Sequence, residues 1–362
     1  MDFERIARPG IVAMRAYESA RGSAAADGIL LNANEAPQTF ADDPDFERLA
    51  LNRYPAPQPA VLKSRLAELY GVDESRLLVT RGSDEGIDLL TRVFCRPEQD
   101  AIVECTPCFG MYRIAATIQG ARIIDVPRQR ENGFRIDFGE LERVICGQDG
   151  VRLVFLTSPN NPTGDRITRA QLERVLRACE GRALVVMDEA YIEFCEAESA
   201  CAMVDQWPQL VVLRTLSKAW AAAAVRCGAV VAHPEVIGLL RRVIAPYPLP
   251  TTAVDAALQA TGNEVEERQR RFVAKTRQNR QALRAFLESC PWVKEAWDSE
   301  ANFLLVRVAD ANGLVAWCAR QGIRIRNFDA QPGLTGCVRI TIGSEAEMEI
   351  LKSALTAYGE EL

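Results

Sequence analysis

The chain has 362 residues, of which 48% are hydrophobic and 25% are charged, and its formal net charge at neutral pH is −6. This balance is typical of a globular protein in water, and the length suits two domains better than one core. The negative charge argues against a nucleic-acid-binding surface. No apolar stretch approaches the roughly 20 residues that a membrane helix needs, and the first residues lack a signal-peptide pattern. We therefore predict a cytoplasmic protein without a nucleic-acid or membrane partner.

Residues 1–45 hold no long periodic pattern, and we assign them to an N-terminal arm and part of a small domain. A helix is predicted from Pro59 to Gly71, because apolar side chains recur there on one face. Alternating strand and helix patterns then continue to about residue 245, with strands predicted at 77–80, 101–104, 122–126, 151–156, 183–188, 210–213 and 227–232. This alternation predicts an α/β fold, with a mostly parallel sheet covered by helices on both faces. We assign residues 46–255 to this large domain.

The last third of the chain has a different pattern. A long polar helix at about 254–289 is predicted to link two domains, with the charge-rich run 264–271 as its solvated face. Two strands, 303–308 and 338–342, flank a helix that contains Trp317. This pattern predicts a smaller α+β domain at residues 290–362, with the linking helix assigned to 256–289.

The eleven cysteines are an odd number and are scattered through apolar segments, which predicts reduced, buried thiols. Cys105 and Cys108 form a single CxxC pair, and His233 is the one histidine of the chain. Zinc sites and histidine-based catalytic triads therefore lack their parts, and we expect no metal site. We interpret the pair as a loop at a strand end that brings Phe109 to a site.

The most informative residue is Lys218, which follows the apolar strand 210–213 and a Thr-Leu-Ser sequence. A lysine at the end of a buried strand suits an amine that condenses with a carbonyl. Ser217 and Arg226 beside it suit the binding of a phosphate group. A Ser-Lys pair alone is common on protein surfaces, so the interpretation depends on further residues.

Two other predicted strands end in residues that complete this set. Asp188 ends the strand 183–188, at the carboxyl edge where open α/β folds bind ligands, and Tyr191 follows it. Asn161 follows the strand 151–156 and precedes a proline, which favours extended backbone. Taken singly, these residues suit a helix cap or a turn. Together they predict a site for pyridoxal phosphate, with Asp188 at the ring nitrogen and with Asn161 and Tyr191 at the phenolic oxygen.

A glycine-containing segment at 82–86 follows a strand and begins an apolar-periodic stretch. Free N–H groups at the start of a helix bind phosphate well, which makes Ser83 and Asp84 candidate phosphate contacts. An ordinary helix N-cap fits the same sequence.

The chain resembles the fold-type I aminotransferases, the aspartate aminotransferase superfamily. The resemblance is carried by Asn-Pro-Thr-Gly at 161–164, Asp-Glu-Ala-Tyr at 188–191, and Ser-Lys-Ala at 217–219 followed by Arg-Cys-Gly at 226–228. Within that superfamily the chain is similar to the histidinol-phosphate aminotransferases in the segments 31–35, 52–55, 81–86, 245–249 and 336–341. The similarity covers nearly the whole chain.

The resemblance implies an enzyme that moves the amino group of L-histidinol phosphate to 2-oxoglutarate in histidine biosynthesis. It implies a homodimer with shared active sites, and pyridoxal 5'-phosphate as cofactor. The implied catalytic residues are Lys218, Asp188 and Tyr191. The implied cofactor contacts are Ser83, Asp84, Phe109, Asn161, Asp188, Tyr191, Thr215, Ser217, Lys218, Arg226 and, from the other subunit, Tyr54. The implied substrate contacts are Tyr17, Asn34, Tyr247, Arg326 and Arg339.

The chain also departs from the pattern of these enzymes. Phe109 stands where a tyrosine commonly stacks on the pyridine ring; stacking needs only an aromatic face. The alanines at 221–224 replace a loop that usually contains leucine and glycine, and alanine disfavours the positive φ that glycine allows. Arg324 and Arg326 alternate along a predicted strand, so only one of them is expected to face the substrate.

Other functions fit the same motifs. An aromatic or other broad-range aminotransferase, or a pyridoxal phosphate-dependent decarboxylase of a phosphorylated amino acid, shares the lysine chemistry and differs in its substrate contacts. An aminotransferase-like effector domain of a transcription regulator is a non-catalytic alternative. It requires an appended basic helix-turn-helix segment, for which we find no room in the sequence.

Overall fold

The computed structural model describes residues 1–14 and 47–361, so Tyr17, Asn34 and the motif at 31–35 lie outside the described residues. Seven strands form the larger sheet: β1 Leu77–Thr80, β2 Ala101–Glu104, β3 Arg122–Asp125, β4 Val151–Thr157, β5 Leu184–Asp188, β6 Leu210–Thr215 and β7 Gly228–Val231. Their order is β1-β7-β6-β5-β4-β2-β3. Only β7 runs antiparallel to its neighbours, β1 and β6. The prediction of a mostly parallel sheet is confirmed.

Helices cover both faces of this sheet because successive side chains of a strand point to opposite faces. Val185 and Met187 of β5 contribute to one core, and Leu184 and Val186 contribute to the other. The helices that supply the first core include α3 Ala60–Tyr70, α6 Phe138–Gly147 and α7 Arg169–Cys179. Those that supply the second include α4 Gly82–Phe94, α5 Met111–Gln119 and α8 Pro234–Arg241, with the short α1 Phe3–Ile6 and α2 Pro9–Val12 beside them.

The predicted ends of α3 are confirmed. Pro59 precedes its first turn, and Gly71 ends it in the left-handed region at φ 65°, as a C-terminal glycine commonly does. The prediction of one helix at 254–289 is wrong, because α9 Thr251–Ala260 and α10 Asn263–Glu288 are separate. Gly262 between them is extended (φ −60°, ψ 151°), and the Thr261 hydroxyl donates to the Ala257 carbonyl at 2.8 Å.

A second, four-stranded sheet is entirely antiparallel, in the order β10-β11-β9-β8. Its strands are β8 Val293–Ala296, β9 Phe303–Val308, β10 Arg326–Asn327 and β11 Cys337–Thr341, and α10, α11 Ala311–Arg320 and α12 Glu345–Glu361 supply side chains to its core. The strand at 303–308 and the helix around Trp317 are confirmed. β8 was not predicted, because it is only partly buried. The strand predicted around Arg324 and Arg326 is reduced to the two residues of β10, so Arg324 lies outside it. The pairing of β10 with β11 places Arg326 directly opposite Arg339.

The eleven cysteines all lie in the described part of the chain and are free thiols. Within residues 1–14 and 47–361, no group of three or more His, Cys, Asp or Glu side chains is arranged to hold a metal ion. Among the helices described, none is both long and apolar enough to cross a membrane.

Candidate active site

A cavity of about 140 Å³ lies at the carboxyl ends of β4, β5 and β6, next to the first turn of α4. Parallel strands end at a common edge, so residues far apart in sequence meet there. The lining residues are Ser83, Asp84, Phe109, Thr157, Asn161, Asp188, Ala190, Tyr191, Thr215, Ser217, Lys218, Ala223 and Arg226. Every cofactor contact predicted within one subunit is among them. Thr157, Ala190 and Ala223 were not predicted.

Asp188 presents a buried carboxylate to the cavity, with only 2% of its surface exposed. One oxygen accepts a hydrogen bond from the Ala190 N–H at 3.1 Å, and the other accepts from the Tyr112 hydroxyl at 2.8 Å. Burial raises the pKa of Asp188 to about 6, against the opposing effect of these two donors. Tyr112 is a site residue that sequence reasoning missed, and the one available signal was its place on the apolar face of α5, three residues after Phe109.

Lys218 lies at the turn after β6, partly buried, with its ammonium nitrogen 5.7 Å from the centre of the Tyr191 ring. Burial, and then the positive charge of Arg339, lower the pKa of Lys218. A lowered pKa increases the neutral fraction of the amine, which is the form that attacks a carbonyl or accepts a proton. Burial also raises the pKa of Tyr191 to about 12, so its phenol remains a hydrogen-bond donor.

Anion-binding groups converge at one end of the cavity. The Arg226 guanidinium lies 3.1 Å from an Asp84 carboxylate oxygen and 3.4 Å from the Ser217 hydroxyl. The hydroxyls of Thr215 and Ser217 are 3.0 Å apart. Ser83 and Asp84 belong to the first turn of α4, where backbone N–H groups have no partner within the helix.

Two backbone features permit this arrangement. Arg226 itself adopts φ 57°, and Ala221 adopts φ 52°, so the alanine loop takes the positive φ that its sequence disfavours. Gly82 has φ 76°, and a Cβ added there would lie 3.1 Å from Arg226 Nη2. The glycine therefore gives the guanidinium room to reach the start of α4.

Arg339 of the small sheet reaches the wall of the same cavity. Its Nη1 donates to the Asn161 side-chain oxygen at 2.5 Å, and its guanidinium lies 5.0 Å from the Phe303 ring centre and 5.5 Å from that of Phe328. Its Nε is buried and has no hydrogen-bond partner within the described residues. A buried donor without a partner, on a partly buried cation, is destabilising unless an anion accepts from it.

The remaining predicted contacts lie around this centre. Arg326 is exposed and sits across the strand pair from Arg339. Tyr54 and Tyr247 stack on each other with ring centres 4.6 Å apart, and neither lines the cavity of its own subunit. Phe109 lines the cavity and meets the Tyr112 ring edge-on at 5.8 Å.

The residues present fit pyridoxal phosphate. The group needs an amine for its carbonyl, an acid for its ring nitrogen and donors for its phosphate. Lys218, Asp188 and the Arg226–Ser217 pair supply these three, and all of them line one cavity.

A wider groove of about 570 Å³ lies elsewhere, between residues 132–138, 164–171 and 297–300. Two of the acidic groups on its walls are already paired with arginines: Asp165 with Arg128 at 2.8 Å, and Glu300 with Arg166 at 2.7 Å. The smaller cavity is therefore the better candidate active site.

Comparison with known families gives a match to the model described as aminotransferase class I and II over residues 29–355. The chain is 42% identical to the histidinol-phosphate aminotransferase of Pectobacterium atrosepticum. The aligned region has 354 residues and covers 97% of each protein.

Solved structures give the same fold. A putative histidinol-phosphate aminotransferase from Erwinia carotovora atroseptica is 26% identical with a TM-score of 0.78, covering 90% of this chain and 93% of that one. The histidinol-phosphate aminotransferase from Sinorhizobium meliloti, solved in complex with pyridoxal-5'-phosphate, is 23% identical with a TM-score of 0.77. The match covers 91% of this chain and 90% of that one. At that identity the second structure supports the fold alone.

Proposed function

This chain belongs to the class I and II aminotransferases, and on that premise we propose that it is a pyridoxal 5'-phosphate-dependent histidinol-phosphate aminotransferase. Its reaction converts L-histidinol phosphate and 2-oxoglutarate to imidazole acetol phosphate and L-glutamate, in histidine biosynthesis. The observation that carries the proposal is a single cavity that combines Lys218, Asp188 and an anion cradle, with Arg339 bonded to its wall.

When bound, the cofactor supplies a carbonyl that takes up amino groups and a ring that accepts electrons from the substrate's α-carbon. The amine of Lys218, whose pKa is lowered by burial, accepts the α-proton in its neutral form and returns it. Asp188 stays anionic and holds a proton on the ring nitrogen. Asn161 and Tyr191 would donate towards the phenolic oxygen, and Arg226, Ser217 and the first turn of α4 would hold the phosphate.

Arg339 and Arg326 suit a substrate with a phosphate ester. A phosphate carries up to two negative charges and three acceptor oxygens, and guanidinium groups match phosphate and carboxylate alike. The cross-strand pairing of the two arginines brings two cations to the same end of the small sheet. Arg339 serves the carboxylate of glutamate and the phosphate of histidinol phosphate in turn, whereas Arg326 adds affinity mainly for the phosphate.

The substrate assignment predicts a specific effect of Arg326→Ala. We expect kcat/KM for histidinol phosphate to fall by about 10- to 100-fold, the effect of removing a charge-assisted hydrogen bond. The values for phenylalanine, tyrosine and leucine should change much less, and in the wild type they should all be below that for histidinol phosphate. Steady-state kinetics with the four amino donors measures this.

The matched control is Arg324→Ala, two residues away, because Arg324 donates to the Ala319 carbonyl at 2.8 Å and is exposed. Its kinetic constants should remain at wild-type values. Equal losses for all four donors in Arg326→Ala, or a preference of the wild type for another donor, would remove the substrate assignment and leave the aminotransferase activity.

The active unit is a homodimer, located in the cytoplasm. Half of the Tyr54 side chain is exposed (51%), and it stacks on Tyr247 outside the cavity of its own subunit, as expected of a residue that serves the neighbouring site. The free thiols, most of them buried, suit a reducing compartment.

Shared sites predict complementation between two inactive variants. Lys218→Ala and Tyr54→Ala proteins mixed in equal amounts form hybrid dimers in which one of the two sites has both wild-type residues. After subunit exchange, we expect about a quarter of wild-type activity, since half of the dimers are hybrids with one intact site. Exchange is verified by native mass spectrometry. Hybrids that form but remain inactive would show that each subunit builds its own site.

A further inference from the structure

Tyr112 is completely buried and lies beside the predicted cofactor cavity without belonging to the expected set of contacts. Its hydroxyl donates to Asp188 Oδ2 at 2.8 Å and lies 2.7 Å from the Thr157 hydroxyl. A phenol has one proton. When that proton is given to an ionised Asp188, the Tyr112 oxygen accepts from Thr157, so a directed chain runs from Thr157 through Tyr112 to Asp188.

The Tyr112 ring has little freedom to leave this position. It stacks on Phe155 with ring centres 4.6 Å apart and an interplanar angle of 9°, and its edge meets Phe109 at 5.8 Å. Thr157 is the last residue of β4, pairs in register with Asp188 of β5, and is 1% exposed. The chain of hydroxyls is therefore built on two adjacent strands and one helix.

We propose that Tyr112, oriented by Thr157, is a positioning residue that fixes the Asp188 carboxylate and keeps it anionic towards the ring nitrogen of the cofactor. The inference rests on the proposed function, because it gives the Asp188 anion its use. Ala190 supplies the other fixed donor through its backbone N–H. The two oxygens of the carboxylate are thus each held from the protein side.

The hydrogen bond from Tyr112 opposes surroundings that raise the pKa of Asp188. Burial raises the pKa of Asp188 to about 6, and the negative charge of Asp84 acts in the same direction. The Tyr112 hydroxyl, the Ala190 N–H and the positive charge of Lys218 oppose this rise. Removing the Tyr112 hydroxyl takes away the hydrogen bond to Asp188 Oδ2, which lowers the pKa of Asp188. The pKa of Asp188 therefore rises further, and the carboxylate becomes protonated at a higher pH.

The test compares Tyr112→Phe, which keeps the ring and its stacking, with Thr157→Val, which removes only the orienting hydroxyl. The control is Tyr70→Phe, since Tyr70 is buried and its hydroxyl has no hydrogen-bond partner in the described part of the chain. Three quantities are measured against pH: kcat/KM, the visible absorbance of the bound cofactor, and the dissociation constant of pyridoxal phosphate from the cofactor-free protein.

In Tyr112→Phe we expect the acid limb of kcat/KM and of the absorbance titration to move up by about one pH unit. Thr157→Val should move it in the same direction by less, and Tyr70→Phe should leave it in place. The cofactor should dissociate about tenfold more readily from Tyr112→Phe at pH 6.5, with recovery towards the wild-type constant at pH 8.5.

A Tyr112→Phe protein with an unshifted acid limb and a pH-independent loss of affinity would overturn the inference, because that result describes packing alone. A wild-type protein that neither binds pyridoxal phosphate nor transaminates would instead overturn the proposed function, and the inference with it. The two failures are therefore distinguished by the wild type.

Discussion

Replacing Lys218 with alanine is expected to abolish transamination, with a fall in kcat of at least about 10⁴-fold, the upper range for a lost general acid–base group. Among the described residues, Lys218 is the one lysine that lines the cavity, and burial lowers its pKa, which increases the neutral fraction that can move protons. The visible absorbance that the wild type acquires with pyridoxal phosphate should change in the variant, because the amine that condenses with the cofactor is gone.

Borohydride reduction gives a second measurement of the same prediction. It should attach the cofactor irreversibly to the peptide that contains Lys218 in the wild type, and to no peptide in Lys218→Ala, as read by mass spectrometry. Lys294→Ala is the matched control, because Lys294 is exposed on β8. Labelling at a different lysine, or wild-type absorbance in Lys218→Ala, would refute the assignment.

The position of Lys218 could be predicted from sequence because strand ends in a parallel sheet share one edge. Asn161, Asp188 and Lys218 each follow an apolar run, and apolar runs between turn signals are among the clearest sequence patterns of buried strands. Their meeting in one cavity then follows from topology and needs no knowledge of side-chain packing.

Tyr112 could not be predicted in the same way. Its hydrogen bond to Asp188 joins residues 76 positions apart and depends on how α5 packs on β4. Helix periodicity indicates only that Tyr112 is buried, which is equally true of many core tyrosines. The role of its hydroxyl depends on tertiary packing, about which a local pattern carries no information.

The antiparallel strand β7 and the two-residue strand β10 show the same limit. The apolar run at 227–232 predicts a strand, but the direction of that strand and its insertion between β1 and β6 depend on pairing with distant segments. The alternation of Arg324 and Arg326 predicts a strand, but the position of Arg326 opposite Arg339 depends on a pairing of two residues per strand with a distant segment.

Replacing Asp188 with asparagine is expected to separate catalysis from stability. The neutral amide cannot hold a proton on the ring nitrogen, so kcat should fall by about 10²–10³-fold, the range for a lost preorganised electrostatic partner. The local hydrogen bonds can survive, because the amide oxygen accepts from the Ala190 N–H and the amide nitrogen donates to the Tyr112 oxygen.

Although kcat should fall, the free energy of unfolding of the cofactor-free protein should rise in Asp188→Asn. Burial raises the pKa of folded Asp188 to about 6 from the reference value of 3.8. Between these two values the folded state retains a proton that the unfolded chain has lost, so the free energy of unfolding falls as pH rises through this window. Above about pH 6 the ionised buried carboxylate destabilises the fold by on the order of 2–3 kcal/mol, and asparagine removes that penalty.

Thermal melting of the cofactor-free proteins from pH 4 to pH 8 measures this effect. We expect Asp188→Asn to melt a few degrees above the wild type at pH 8 and at the same temperature near pH 4, whereas the exposed control Asp149→Asn should follow the wild type throughout. Adding pyridoxal phosphate should stabilise the wild type more than the variant, because only the ionised carboxylate attracts the protonated ring. Equal melting curves for Asp188→Asn and the wild type at pH 8 would mean that the Asp188 carboxylate is not held in a destabilising environment. In that case the ionised Asp188 carboxylate would not lower the free energy of unfolding of the cofactor-free protein, despite its burial.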